Sequence, residues 1–149
     1  MEVERERLAA ENASLQDRLL RLHAEFDNFR RRAERERSEL AQYAASEFVS
    51  AILPALDDFE RALRVETADR KYARGLELIY QGLSETLKKM GLDPIETAGK
   101  TFDPTVHQAV QRVETDEADD QTILTEFQKG YKFRGKLLRP AMVQVAVKP

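Results

Sequence analysis

No cysteine or tryptophan occurs in the 149 residues, and only two histidines do. A chain without cysteine has no disulfide framework, no thiolate nucleophile and no thiolate-ligated metal. No H-E-x-x-H, Walker-type, G-x-G-x-x-G or G-x-S-x-G segment is present, and the carboxylates fall mainly on helix faces and in one loop. No cofactor, metal or small-molecule substrate is therefore expected, and the chain does not read as an enzyme. No apolar run approaches the ~20 residues of a membrane helix. The charged start Met1-Glu2-Val3-Glu4-Arg5 lacks the apolar core of a secretory signal, so no membrane partner and a cytoplasmic setting are expected. The formal net charge is −3, which gives no global attraction to nucleic acid. Glycine and proline are missing throughout residues 4–53.

That last gap defines the first element. Residues 4–53 are rich in Ala, Leu, Glu, Arg and Gln, all strong helix formers. About 50 residues at 1.5 Å each make a rod of roughly 75 Å. Leu8, Leu15, Leu19, Leu22, Phe26, Phe29, Ala33, Leu40 and Tyr43 follow in steps of three and four, with Asn12 in the same register. A period near 3.5 is a coiled-coil seam that pairs with a second helix, and a polar residue such as Asn12 in it sets register. The chain is thus expected to be a homodimer, with Leu15, Leu19, Leu22, Phe26 and Phe29 at the contact. Glu36 also falls on the seam and loosens it; with the seam imperfect at Asn12 and Glu36, the paired rod is expected to unwind under heat before the C-terminal β-domain does. Arg30 to Arg37 carries five Arg against two Glu. It reads as a solvated face, a patch for an acidic protein, or a zipper-like DNA-binding region.

Pro54 closes the proline-free run, beginning a new helix or kinking the first. Leu53, Leu56, Phe59 and Leu63 share a face. After a polar break, with Thr67 or Asp69 as N-cap, Tyr72, Leu76, Ile79, Leu83, Leu87 and Met90 mark a helix from about Arg70 to Met90. Gly91 stands where a left-handed C-terminal residue belongs, after Lys88 and Lys89. Gly75 and Gly82 suggest close approach of another helix. Doubling two such helices makes a four-helix bundle.

From residue 92 the texture becomes short, β-branched runs between Gly and Pro. Val106–Val113, Ile123–Phe127, Tyr131–Phe133 and Met142–Val147 read as strands, Gly130 and Gly135 as turns or a bulge, and Glu114–Asp120 as a loop. His107 reads as a hydrogen-bonded structural residue and His23 as solvent-facing. The class is α+β: a long helix over 1–50, bundle helices over 51–91 and a small all-β domain over 92–149.

Four segments resemble the GrpE-type nucleotide exchange factors of DnaK-type chaperones: Ala24 to Arg32, Ile52 to Leu63, Phe102 to Val110, and Gln128 to Tyr131 leading through Gly135 to Val143. The resemblance implies a homodimeric co-chaperone active in protein folding and in heat and osmotic stress. Its β-domain would bind the chaperone's nucleotide-binding domain, open the cleft and speed ADP release. It further implies chaperone contacts at Lys136 on the turn after Gly135, at Phe127 and Val145, and at Arg30 and Arg61. Gly91 would be the junction between bundle and β-domain. Glu39 stands where some relatives carry Lys, which removes one helical contact. The rival readings are a coiled-coil adaptor and a zipper-like DNA-binding protein.

Overall fold

A computed structural model describes residues 1–149. It divides into two compact units, Met1–Ala45 and Ser46–Pro149.

The first unit is helical from Glu2 onward. It is the leading part of α1, which spans Glu2–Arg64. Its exposed surface carries i,i+3 and i,i+4 pairs such as Arg7–Glu4 and Arg21–Asp17, each a minor contribution in water.

Within the second unit α1 passes through Pro54 without a break. Proline lacks the N–H that would bond the carbonyl of Ser50, and its ring crowds that turn. Both residues lie on the exposed face, where solvent can take the orphaned carbonyl. The opposite face carries the buried Val49, Leu53 and Leu56, whose packing holds the helix across the proline. Of the two alternatives at Pro54, a new helix or a kink in the first, the structure excludes the new helix.

Helix α2 spans Arg70–Met90. Of the two candidates, Asp69 is the N-cap, accepting from the Tyr72 amide at 3.1 Å. Gly91 ends the helix at φ 112°, its N–H shared between the carbonyls of Leu87 and Lys88. A side chain there would be strained in φ and would meet Arg134 Cγ at 2.8 Å. The Gly91 carbonyl accepts from the Arg134 amide at 2.9 Å, so the helix end is tied to the β-structure. Around Gly75 and Gly82 no heavy atom lies within 4 Å of an added Cβ. The close approach expected there does not occur within one chain.

Six strands form two three-stranded sheets, β1-β4-β5 and β2-β6-β3. The strands are β1 Leu92–Pro94, β2 His107–Glu114, β3 Ile123–Gln128, β4 Tyr131–Phe133, β5 Lys136–Arg139 and β6 Ala141–Val147. Strands β4 and β5 join through Arg134 and Gly135, at φ 49° and 82°. Two consecutive positive φ values are the signature of a type I′ hairpin, whose twist matches the strands. In the second sheet β6 is central, parallel to β2 and antiparallel to β3. Its Ala141, Val143 and Val145 form a core with Ile123, flanked by Ile95, Phe102 and Ala109. Strands β1 and β5 have no counterpart among the expected strands.

Candidate functional site

Two carboxylates on α1 lie among its apolar residues. Asp57 is four residues after Leu53, and Glu60 is four after Leu56, so both share the buried face. Carboxylates placed there require cations from whatever packs on that face. Strand β5 supplies one. The Arg139 guanidinium meets Asp57 in a fork, Nη1 to Oδ2 at 2.7 Å and Nη2 to Oδ1 at 2.6 Å. The side chains are only 18% and 14% exposed. The remaining Arg139 Nε donates to the Lys129 carbonyl at 2.8 Å. Gln128 Nε2 donates to Asp57 Oδ2 at 3.3 Å.

Glu60 completes the joint. It pairs with Lys129 at 3.3 Å and accepts from the Tyr80 hydroxyl at 2.5 Å. Burial pushes the Tyr80 phenol up to about 12, aided by that hydrogen bond and by the Glu60 charge. Tyr131 is also raised, again chiefly by burial and then by repulsion between its phenolate and the charges of Tyr80 and Glu60. The Tyr80 ring lies 6.5 Å from that of Phe59. Helix α1, helix α2 and the β-structure are thus fastened together at one place by a satisfied polar network. Beside it a half-open cavity of 180 Å³ is lined by Leu56, Leu87, Leu92 and Tyr131 among others.

Phe127 and Arg61 come together at the edge of this joint. Phe127, in β3, is 46% exposed. It lines a concavity of 120 Å³ with Gln128 and, from α1, Asp57, Glu60, Arg61 and Arg64. Arg61 is exposed and paired with Asp58 on the same helix. An aromatic ring held beside two guanidinium groups is a suitable anchor for an apolar residue flanked by carboxylates.

The other predicted positions fall elsewhere. Lys136 is exposed; it follows Gly135 as the first residue of β5, opposite Phe133, and closes the hairpin turn. Val145 is 2% exposed, between Ile123 and Arg112 in the central strand. The chaperone contact expected of it is corrected on that ground: its side chain is core and has no surface to offer. Arg30 is exposed on the first unit and pairs with Asp27 at 3.8 Å. With Phe26, Phe29, Ala33, Glu34 and Arg37 it lines a shallow open depression. The seam residues Leu15, Leu19, Leu22, Phe26 and Phe29 are all more than half exposed. His23 is exposed.

His107 is buried and bonded at both nitrogens. Its Nδ1 accepts from the Asp103 amide at 2.9 Å, so the proton resides on Nε2, which donates to the Glu96 carbonyl at 2.8 Å. Nearby, the Thr105 hydroxyl and amide both donate to the Asp103 carboxylate and hold its pKa below the ordinary value. Gly135 is the second residue of the hairpin turn. Gly130 is a point of close backbone approach rather than a turn: an added Cβ would stand 2.3 Å from Ala141 N. No three His, Cys, Asp or Glu side chains are grouped to hold a metal, and no helix is long and apolar enough to cross a membrane.

The composition of the joint was not singled out from the sequence. The signal was there in Asp57 and Glu60, two acids in phase with Leu53 and Leu56.

A family model described as GrpE matches residues 1–147. The protein named GrpE from Halalkalibacterium halodurans is 48% identical over 134 residues, covering 88% of this chain and 69% of its own length. The Geobacillus stearothermophilus GrpE is 47% identical, covering 87% of this chain and 60% of its own. For Parageobacillus thermoglucosidasius GrpE the identity is 42%, with 97% and 70% covered.

Proposed function

This chain belongs to the GrpE family, the co-chaperones that exchange adenine nucleotide on DnaK-type chaperones, and we propose that it acts by binding energy alone, with no bond made or broken by its own residues. The zipper-like DNA-binding and bare adaptor readings have no support from the family assignment.

The site of action is the surface around Phe127. The carrying observation is the half-exposed ring held beside Arg61 and Arg64 on a joint that is itself buried and satisfied. Covering the exposed half of a phenylalanine contributes about 1 kcal/mol. Lys136 adds a cation on the neighbouring sheet, and Arg30 adds one on the leading helix, both suited to carboxylates on the chaperone's nucleotide-binding domain. Val145 takes no part.

The work is a linkage. ADP favours a closed nucleotide cleft, and this chain favours an open one. By reciprocity each weakens the other equally. A thousandfold weakening of ADP corresponds to about 4 kcal/mol of preference for the open form. A few contacts such as Phe127, Arg61 and Lys136 supply energies of that order.

A second copy of the chain covers the seam. In a single chain Leu15, Leu19, Leu22, Phe26 and Phe29 stand in water at heptad-like spacing, a pattern that is stable when paired. The helices over 51–91 then pair with those of the partner as a four-helix bundle, and Asn12 and Glu36 are the weak points at which heat opens the pair.

The decisive experiment is stopped-flow release of a fluorescent ADP analogue from a DnaK-type chaperone. Wild type accelerates release. Phe127→Ala and Lys136→Ala each require more protein for the same rate. A wild-type chain that leaves the release rate unchanged would refute the proposal.

A further inference from the structure

The buried joint also bears on how the contact surface is assembled, an inference that rests on the exchange-factor reading above. The geometry points to Asp57 and Arg139 as positioning residues: Arg139 stands outside the Phe127 concavity and Asp57, in its wall, has both oxygens engaged by Arg139 and Gln128, so that together they hold the helical and strand halves of the Phe127 surface at a fixed offset.

The two halves come from different elements. Arg61 and Arg64 stand on α1, four and seven residues after Asp57. Phe127 stands on β3, next to Gln128. Both halves are referenced to one carboxylate. Asp57 receives both terminal nitrogens of Arg139 and, from the strand side, Gln128 Nε2. The third guanidinium nitrogen fixes the Lys129 carbonyl. Residues 128 and 129 are therefore tied to the helix turn that ends at Arg61 through a single planar ion pair. A second leg, Lys129 to Glu60 to Tyr80, anchors the same strand end to α2.

Stability alone does not call for this arrangement. An apolar pair of similar volume fastens buried elements as well or better, because the charges carry a desolvation cost. What a forked ion pair adds is direction, since both N–H···O bonds are satisfied only at one relative orientation. A partner that must meet Arg61 and Phe127 together binds by two linked contacts, and its affinity depends on their spacing. Once the offset is free to vary, each contact persists but the pair no longer acts as one site.

The test titrates the full chain against a DnaK-type chaperone loaded with the fluorescent ADP analogue, reading both the half-maximal concentration and the release rate at saturation. Asp57→Ala raises the half-maximal concentration about tenfold and leaves the saturating rate within about twofold, because Phe127, Arg61 and Lys136 all remain. Arg139→Lys keeps the charge but loses the fork, and gives a shift of about threefold. The double variant Asp57→Leu/Arg139→Met separates positioning from fastening. Its thermal midpoint recovers while its half-maximal concentration stays raised. If affinity recovers together with the midpoint, the joint is only a fastener and the inference is overturned. Wild-type acceleration matched by Asp57→Ala overturns the positioning role alone. Absence of acceleration by wild type overturns the exchange-factor reading and this inference with it.

Discussion

Substituting Gly130 by alanine tests how tightly the β-structure is closed against itself. The added methyl would stand 2.3 Å from Ala141 N, 2.7 Å from Pro140 C and 2.8 Å from Ile95 Cδ1. Ile95 can turn away, but the other two atoms are backbone. They are held in place because Ala141 N donates to the Val106 carbonyl at 3.0 Å and Arg139, immediately before Pro140, is locked to Asp57. Relief to ordinary contact requires the chain at Gly130 to retreat by about 1 Å. Overpacking of that kind costs about 1–3 kcal/mol. The retreat also stretches two hydrogen bonds, Ile95 N to the Gly130 carbonyl at 2.9 Å and Arg139 Nε to the Lys129 carbonyl at 2.8 Å, each contributing about 1 kcal/mol. The expected loss is therefore about 3–5 kcal/mol, a large share of a typical domain's stability. Native-state hydrogen exchange at the Val143 and Val145 amides reads it in the affected sheet, without the helices dominating the signal. A loss below about 1 kcal/mol would refute the reasoning, since backbone atoms at 2.3 Å leave no inexpensive escape.

Other perturbations give distinct signatures. Gly82→Ala, in open space on α2, raises helix stability by up to about 1 kcal/mol in thermal melts followed by circular dichroism; a fall would show that a second chain packs there. His107→Ala leaves the Asp103 amide and the Glu96 carbonyl without partners and costs about 2–4 kcal/mol in urea denaturation, whereas His107→Asn retains a local acceptor and costs less. Tyr80 has a folded pKa of about 12 against the ordinary 10, so its neutral form is favoured by folding. That stabilisation is fully present below pH 10 and is lost as the pH rises through 12. In Tyr80→Phe the fall in Tm across this window becomes shallower, though not flat, because Tyr131 is displaced the same way; equal slopes would contradict the assignment. Phe26→Glu places two carboxylates on the proposed seam and converts a dimer to monomers in sedimentation velocity, and an unchanged profile would remove Phe26 from the interface.

Much of the secondary structure was legible because it obeys simple periods. The α2 stripe, its Asp69 cap and its Gly91 end follow local rules, as do the alternating strand β6 and the three-residue β4. At Pro54 local chemistry left a new helix and a kink both open, and packing decides for one helix: Val49, Leu53 and Leu56 are buried on both sides of it. Strand β1 escaped because three residues ending in proline carry no alternation, and β5 because Lys-Leu-Leu-Arg alternates poorly. The site divides in the same way. Phe127, Arg61 and Lys136 stand out as exposed residues, which resemblance to a family can suggest. On a strand, Val145 could face either the core or the surface, and only its 2% exposure, packed with Ile123, shows that it faces inward. The Asp57–Arg139 pair joins residues 82 positions apart, a distance no periodicity spans.

The order of strands along the chain also governs when the β-structure can form. The middle strand of the larger sheet, β6, comes last of the six, and its neighbours β2 and β3 pair with it rather than with each other. Until residues 141–147 have left the ribosome, β2 and β3 have no ladder and Ile123 has no core to enter. Helix α1 needs only contacts close in sequence and forms far earlier. During synthesis, then, α1 can form while the sheet built on β6 is still unmade, and a message cut short before codon 141 would yield helical chains that lack that sheet.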